Sequence, residues 1–228
     1  MFKDCTTLID AGGLELPATT LANDCYYSMF SGCTSLTAAP ALPATTLAKT
    51  CYYGMFAGCT SLASAPALPA TTLASGCYYN MFKDCSSLTT APALPATTLA
   101  SGWCYNSMFS GCTNLSSMNV GLTSWNGTNA TTNWLSSVAA SGTFTCPAEL
   151  SDIRDDSHIP TSWQVVKPSQ ELSAVCFTAE QANSTVKLYK YNSGAPTLDI
   201  ETSTDGSTWS AYTQGTVLTA AKIGRAHV

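Results

Sequence analysis

Leu16-Pro17-Ala18-Thr19-Thr20-Leu21-Ala22 recurs letter for letter at residues 42–48, 68–74 and 94–100, and the copies start 26 residues apart. A fixed period in the twenties is the sequence mark of a solenoid, where each copy is one supersecondary unit stacked on the next. Near-identical units build an extended surface instead of one convergent cleft, so the repeat argues for a non-enzymatic chain.

Outward from that heptapeptide the units align as Met29-Phe30-x-Gly32-Cys33-x-x-Leu36 and Met55-Phe56-x-Gly58-Cys59-x-x-Leu62. They continue as Met81-Phe82-x-Asp84-Cys85-x-x-Leu88 and Met108-Phe109-x-Gly111-Cys112-x-x-Leu115. Ala-Pro-Ala-Leu-Pro follows the first three of those leucines and places Pro40, Pro66 and Pro92 at equivalent positions. Proline cannot donate to a sheet ladder, so each unit is predicted to hold three or four residues of parallel strand, starting near Ser35, Ser61 and Ser87. On the other side of the unit, Cys25, Met29 and Cys33 are spaced i, i+4, i+8 with Phe30 beside them, which predicts one or two helical turns. Gly32, Gly58 and Gly111 then fall where a helix would end on a left-handed residue. Stacked units are expected to advance by about 4.8 Å, the spacing of parallel strands.

Phe-x-x-Cys-x-x-Leu followed by a short strand ending in Pro resembles the bacterial surface leucine-rich repeats of the BspA, or Treponema pallidum, type. The resemblance covers roughly residues 1–118, with longer units than usual and Cys-Tyr-x-x-Met-Phe in place of the commoner Ala-Phe. It implies an α/β repeat solenoid of short parallel strands and short helices, in a surface or extracellular protein that binds a protein or glycan on a host or neighbouring cell.

The conspicuous side chains read first as core. Cys25/Cys33, Cys51/Cys59, Cys77/Cys85 and Cys104/Cys112 are each eight apart, about 12 Å along a helix and too far for a disulfide within a unit. The spacing is not that of a zinc knuckle, and histidine is nearly absent, so no metal or cofactor is expected. These cysteines are read as two rows of buried thiols beside Met29, Met55, Met81 and Met108, Phe30, Phe56, Phe82 and Phe109, and Leu36, Leu62, Leu88 and Leu115. A pair between Cys146 and Cys176, both outside the repeats, stays open. Two tyrosine rows, Tyr26/Tyr52/Tyr78/Tyr105 and Tyr27/Tyr53/Tyr79, lie on adjacent positions and cannot both be buried equally. One row is therefore the candidate binding stripe, for sugar or protein.

Three sharper motifs fail on inspection. Leu-Pro-Ala-Thr-Thr is similar to a sortase signal but lacks the following Gly and a hydrophobic tail. Thr45, Thr71 and Thr97 suggest an ice-binding array, yet Thr45-Thr46 are neighbours where such arrays alternate. Asp155-Asp156-Ser157-His158 can be drawn as a triad, but sequence neighbours rarely converge as one. Asn126-Gly-Thr and Asn129-Ala-Thr read as turn chemistry.

Composition bounds the rest. At 228 residues there is room for one large or two smaller domains, and only 10% of residues are charged. A net charge of −5 without a basic patch argues against nucleic acid. No apolar run is long enough to span a bilayer. Met1-Phe2-Lys3-Asp4-Cys5 repeats residues 81–85, so the chain begins inside a repeat and further copies are expected upstream. Ile223-Gly224-Arg225-Ala226-His227-Val228 resembles a translated sequencing adapter and is set aside as a tail over 223–228.

The resulting layout is a leucine-rich-repeat solenoid over 1–118, a cap over 119–166, and a truncated, immunoglobulin-like all-β sandwich over 167–222. Within the cap, residues 129–139 suggest an amphipathic helix that packs Trp134, Leu135 and Val138 on the last unit, and residues 143–145 and 162–165 suggest closing strands. In the third segment, residues 174–177, 186–191 and 198–201 alternate or run apolar, and Thr204-Asp205-Gly206-Ser207 is a hairpin signal. The expected role is surface binding or adhesion. A phage virion or receptor-binding protein, and a passive scaffold for a ligand-binding part elsewhere, are the alternatives.

Overall fold

In the computed structural model, residues 1–168, 199–203, 210–211 and 222–227 are described, and the chain divides into two compact units, Met1–Pro168 and Ser169–Val228. The first unit is a stack of coils in register. Its packing follows the repeat, but across the repeated coils its backbone is neither helix nor sheet.

No helix occurs among the described residues, which overturns the expected α/β architecture. The reason lies in the dihedral angles. Asp24, Ser28 and Gly32 have φ of 58°, 50° and 76°, and the next coil repeats this at Thr50, Gly54 and Gly58 with 54°, 55° and 75°. Gly76, Asn80 and Asp84 follow, then Trp103, Ser107 and Gly111. Every fourth residue is thus left-handed, which no α-helix permits. Most of these positions carry Gly, Asn, Asp or Ser, short residues that reach the left-handed region at least cost.

The hydrogen bonds confirm a ribbon of four-residue turns. Tyr27, Met29, Ser31 and Cys33 donate to the carbonyls of Asp24, Tyr26, Ser28 and Phe30 at 3.1–3.3 Å. The intervening Tyr26, Ser28, Phe30 and Gly32 donate instead to Cys51, Tyr53, Met55 and Ala57 of the next coil at 2.8–2.9 Å. Half the amides therefore close turns and half tie the coils together. The i, i+4, i+8 spacing of Cys25, Met29 and Cys33 is the period of this ribbon. In an α-helix, four residues overshoot one turn by about 40°, so such a row would drift off the face.

The expected repeat strands are absent too. Adjacent coils meet at single parallel bridges, Thr20 with Thr46 and Thr46 with Thr72 on one wall, and Thr90 with Ser117 on another. The chain through Leu42-Pro43-Ala44-Thr45 is extended, with Leu42 and Ala44 buried and Pro43 and Thr45 exposed. Two prolines per coil remove the donors that a continuous ladder needs. Strands form only where those prolines are gone: β1 (Ser117–Asn119), β2 (Thr143–Thr145) and β3 (Gln164–Val166) make a parallel sheet in the order β1-β2-β3.

Aromatic columns run through the core. Phe2, Phe30, Phe56, Phe82 and Phe109 stack with centroids 5.3–5.6 Å apart and planes within 9°. Tyr26, Tyr52, Tyr78 and Tyr105 form a second column at 5.6–5.9 Å. Leu36, Leu62, Leu88 and Leu115 are fully buried, as are Met55, Met81 and Met108, while Met29 is 8% exposed. Burying one such side chain contributes about 1.5–3 kcal/mol, which sets the scale of cohesion per coil.

The expected helix over 129–139 is another ribbon of turns. Asn129, Asn133 and Ser137 are left-handed, and Tyr105, Ser107, Phe109 and Gly111 donate to Ala130, Thr132, Trp134 and Ser136. This is a further coil whose identity to the repeat has been lost. Its Trp134 lies 6.0 Å from Tyr105, and Trp134, Leu135, Phe144, Leu150, Ile159 and Trp163 close the core.

In the second unit the described strands are β4 (Asp199–Ser203), β5 (Ser210–Ala211) and β6 (Lys222–His227). They form one antiparallel sheet in the order β5-β4-β6, with a register shift between Glu201 and Thr202. A single sheet does not match the expected β-sandwich. The strands read at 174–177 and 186–191, the 204–207 turn and Cys176 lie outside the described residues.

Candidate functional site

The turn ribbon sorts the two tyrosine rows. Tyr52, Tyr78 and Tyr105 are 1% exposed and Tyr26 is half-buried, while the adjacent row is more exposed. Tyr52, Tyr78 and Tyr105 are therefore core and unavailable to a ligand. Burial pushes their phenols well up, keeping the column neutral. The Tyr78 hydroxyl is buried without a hydrogen-bond partner.

Tyr27, Tyr53 and Tyr79 form the outer row. Tyr27 is 49% exposed, and Tyr53 and Tyr79 are half-buried. Their rings stack with centroids 4.4 and 4.8 Å apart and planes within 6°. This stacking covers both faces of Tyr53, so the row presents mainly ring edges and a line of hydroxyls, with the stack leaving ring faces uncovered only at its two ends. Partial burial first, and the adjacent Tyr27 second, raise the Tyr53 phenol above its usual range. The row can donate and accept hydrogen bonds at a spacing near that of parallel strands, but it offers a sugar ring little face to stack on.

The row stops at the next coil, where Asn106 takes the place of the tyrosine and is nearly buried. Its Nδ2 donates to the Asn129 carbonyl at 3.5 Å and its Oδ1 accepts from Ser107 Oγ at 2.9 Å. The same coil carries an exposed aromatic that sequence reading passed over. Trp103 is 51% exposed and left-handed, with φ of 61°. It stands where the earlier coils have Asp24, Thr50 and Gly76, and where the following one has Asn129. A bulky residue there costs about 1–2 kcal/mol relative to glycine, and the half-exposed indole recovers only part of it by burial. The available signal was the spacing: Met81 to Met108 is 27 residues, one more than the repeat, so this coil carries an inserted residue.

The coil of Trp103 and the coil after it contain no charged residue. No Asp, Glu, Lys, Arg or His lies between Asp84 and Glu149. Neutral hydroxyls and amides of Ser, Thr and Asn supply the polar groups of these coils, Ser101 and Asn129 among the exposed ones.

The cysteines sit at the wall. Cys33, Cys51, Cys59, Cys77, Cys85, Cys104 and Cys112 are buried free thiols, while Cys25, expected in the core, is exposed. Cys59, Cys85 and Cys112 donate to the carbonyls of Phe30, Phe56 and Phe82 of the preceding coil at 3.0–3.1 Å. Burial pushes Cys51 up to about 11 and Cys59 and Cys112 up to about 12. Buried, protonated and bonded to carbonyls, they are poor nucleophiles. Among the described residues no group of three or more His, Cys, Asp or Glu is placed to hold a metal ion. Among the described residues no helix is long and apolar enough to cross a membrane.

His158 and Asp155 belong to the closing segment. His158 Nδ1 lies 2.7 and 2.9 Å from the Asp155 oxygens, and its ring meets Trp125 edge-on at 4.9 Å. The His158 carbonyl accepts from Trp134 Nε1 at 2.7 Å, and Ser157 Oγ accepts from the Asn133 amide at 3.3 Å. The turn is thereby pinned to the last ribbon coil. The Ser157 oxygen is engaged with the Asn133 amide.

Comparison with known proteins leaves the site to stand on its geometry: no family model, no curated protein and no solved structure matches this chain.

Proposed function

We propose that this chain is a non-enzymatic surface or extracellular binding protein that recognises a protein or glycan through the outer tyrosine row. The observation that carries this reading is the Tyr27/Tyr53/Tyr79 stack, three aromatic side chains held in register on a weakly charged wall. A repeat surface of fixed geometry suits recognition, since rigid aromatic side chains lose little entropy on binding. Recognition would rest on hydroxyl hydrogen bonds and ring edges and be nearly insensitive to salt, because few charges are available to steer a partner. The motif resemblance to bacterial surface repeats supports the same reading.

The test is a triple variant, Tyr27→Phe/Tyr53→Phe/Tyr79→Phe, which keeps the stack and removes only the hydroxyls. Binding of the intact chain to immobilised extracellular-matrix proteins and neutral polysaccharides is measured beside the variant. A loss of about tenfold or more for the bound partner is expected, as for several lost hydrogen bonds. Unchanged binding by the triple variant overturns the proposal.

A further inference from the structure

We propose that Trp103 is the stacking platform of a binding site for a neutral carbohydrate chain, at the end of the tyrosine row. This deepens the binding reading above by naming the ligand class and the residue that supplies a ring face. Three observations converge on it.

The first is exposure. Trp103 is 51% exposed, and in the preceding coil the equivalent position is Gly76, which has no side chain to lay against the indole. In the tyrosine row, both faces of Tyr53 are covered by its neighbours at 4.4 and 4.8 Å, so the stacking leaves uncovered only the outer faces of the end rings. The second is the backbone. Gly102 and Trp103 are consecutive left-handed residues, with φ of 81° and 61°. The position is held by the Ser75 hydroxyl and the Gly76 amide, which donate to the Gly102 carbonyl at 3.1 and 2.8 Å. A large apolar side chain is thus fixed outward at a strained site, where a residue without function gains nothing by being tryptophan. The third is chemistry. No charged residue or histidine occurs between Asp84 and Glu149, so the coil of Trp103 and the coil after it carry no charge to hold an anionic or cationic ligand, while exposed Ser101 precedes Trp103 by two residues and exposed Asn129 takes its position in the following coil. A ligand with an apolar ring face and a hydroxyl rim matches an indole set among hydroxyls and amides.

The experiment compares the intact chain with Trp103→Gly, a residue that the preceding coil already accommodates at this place, and with Trp103→Asn, the residue of the following coil. Binding to mannan, xylan and mixed-linkage β-glucan is measured by affinity electrophoresis and calorimetry, with alginate as the polyanion and fibronectin as the protein. The expected result is salt-independent binding of at least one neutral polysaccharide, weakened about tenfold or more in both variants. Protection of wild-type fluorescence from acrylamide by the same polysaccharide, absent in the variants, is expected with it. Wild-type binding only to alginate or fibronectin, to no polysaccharide, or equally in the variants overturns the proposal. The two readings separate cleanly. Loss of binding in the tyrosine-to-phenylalanine triple variant but not in Trp103→Gly leaves the row as the site and removes Trp103.

Discussion

Replacing Gly54 by alanine distinguishes the turn ribbon from a helix by the sign of the effect. In the interior of a helix, alanine is more stable than glycine by about 0.5–1 kcal/mol. Here Gly54 has φ of 55°, where a side chain costs about 1–2 kcal/mol. Alanine also narrows the unfolded ensemble, which returns about 0.4–1 kcal/mol. The added Cβ would lie 3.2 Å from Ser28 Oγ, a contact that a hydroxyl rotation relieves. The amide bond from Gly54 to the Tyr79 carbonyl, 2.7 Å, is kept in the variant. The net expectation is a loss of about 1 kcal/mol, read as a lower urea midpoint and a melting temperature about 2–4 °C lower. Gly54→Asn serves as the control, because Asn80 holds φ of 55° at the same place in the next coil, and it is expected near neutral. A Gly54→Ala variant that is more stable than the parent, with a stronger helical signal in the far ultraviolet, would refute the ribbon.

Two further measurements probe the core. Phe82→Ala removes a fully buried ring that stacks on Phe56 and Phe109 at 5.6 Å on each side, and a loss of about 3–5 kcal/mol is expected in urea unfolding, with Phe82→Leu well below that. A loss under 1 kcal/mol for alanine would contradict the column. Iodoacetamide at mildly alkaline pH, read by mass spectrometry, should label exposed Cys25 readily and leave Cys59, pushed up to about 12 by burial, unmodified until the chain is unfolded. Equal labelling of both in the folded chain would show that the thiol rows are not buried as described.

The core was legible in the sequence because it depends only on the period. Phe30, Phe56, Phe82 and Phe109 recur with their coils, and any in-register stack places them in one column whatever backbone joins them. The outer tyrosine row was legible as one of two candidates, since two rows at adjacent positions were not expected to be buried equally. The backbone was not legible by the same means. A four-residue apolar spacing lies close enough to 3.6 to pass as a helical face over eight residues, and the two diverge only over longer runs. The prolines at 40, 66 and 92 end a strand in either reading, so they could not reveal that only single bridges precede them.

The left-handed positions carried the missing information. Asp24, Ser28 and Gly32, Thr50, Gly54 and Gly58, and Gly76, Asn80 and Asp84 recur every four residues, and a helix would place such residues at its ends instead of once per turn. The same test finds the coil that lost its motif. Asn129, Asn133 and Ser137 keep the spacing, with Ala130 and Trp134 buried between them, although Leu-Pro-Ala-Thr-Thr is gone. It also isolates Trp103, the one large aromatic at a left-handed place in these coils, as the position where side-chain choice runs against backbone preference. A conflict of that kind between local propensity and fold is where function is expected, and it singles out Trp103 beside the regular tyrosine row.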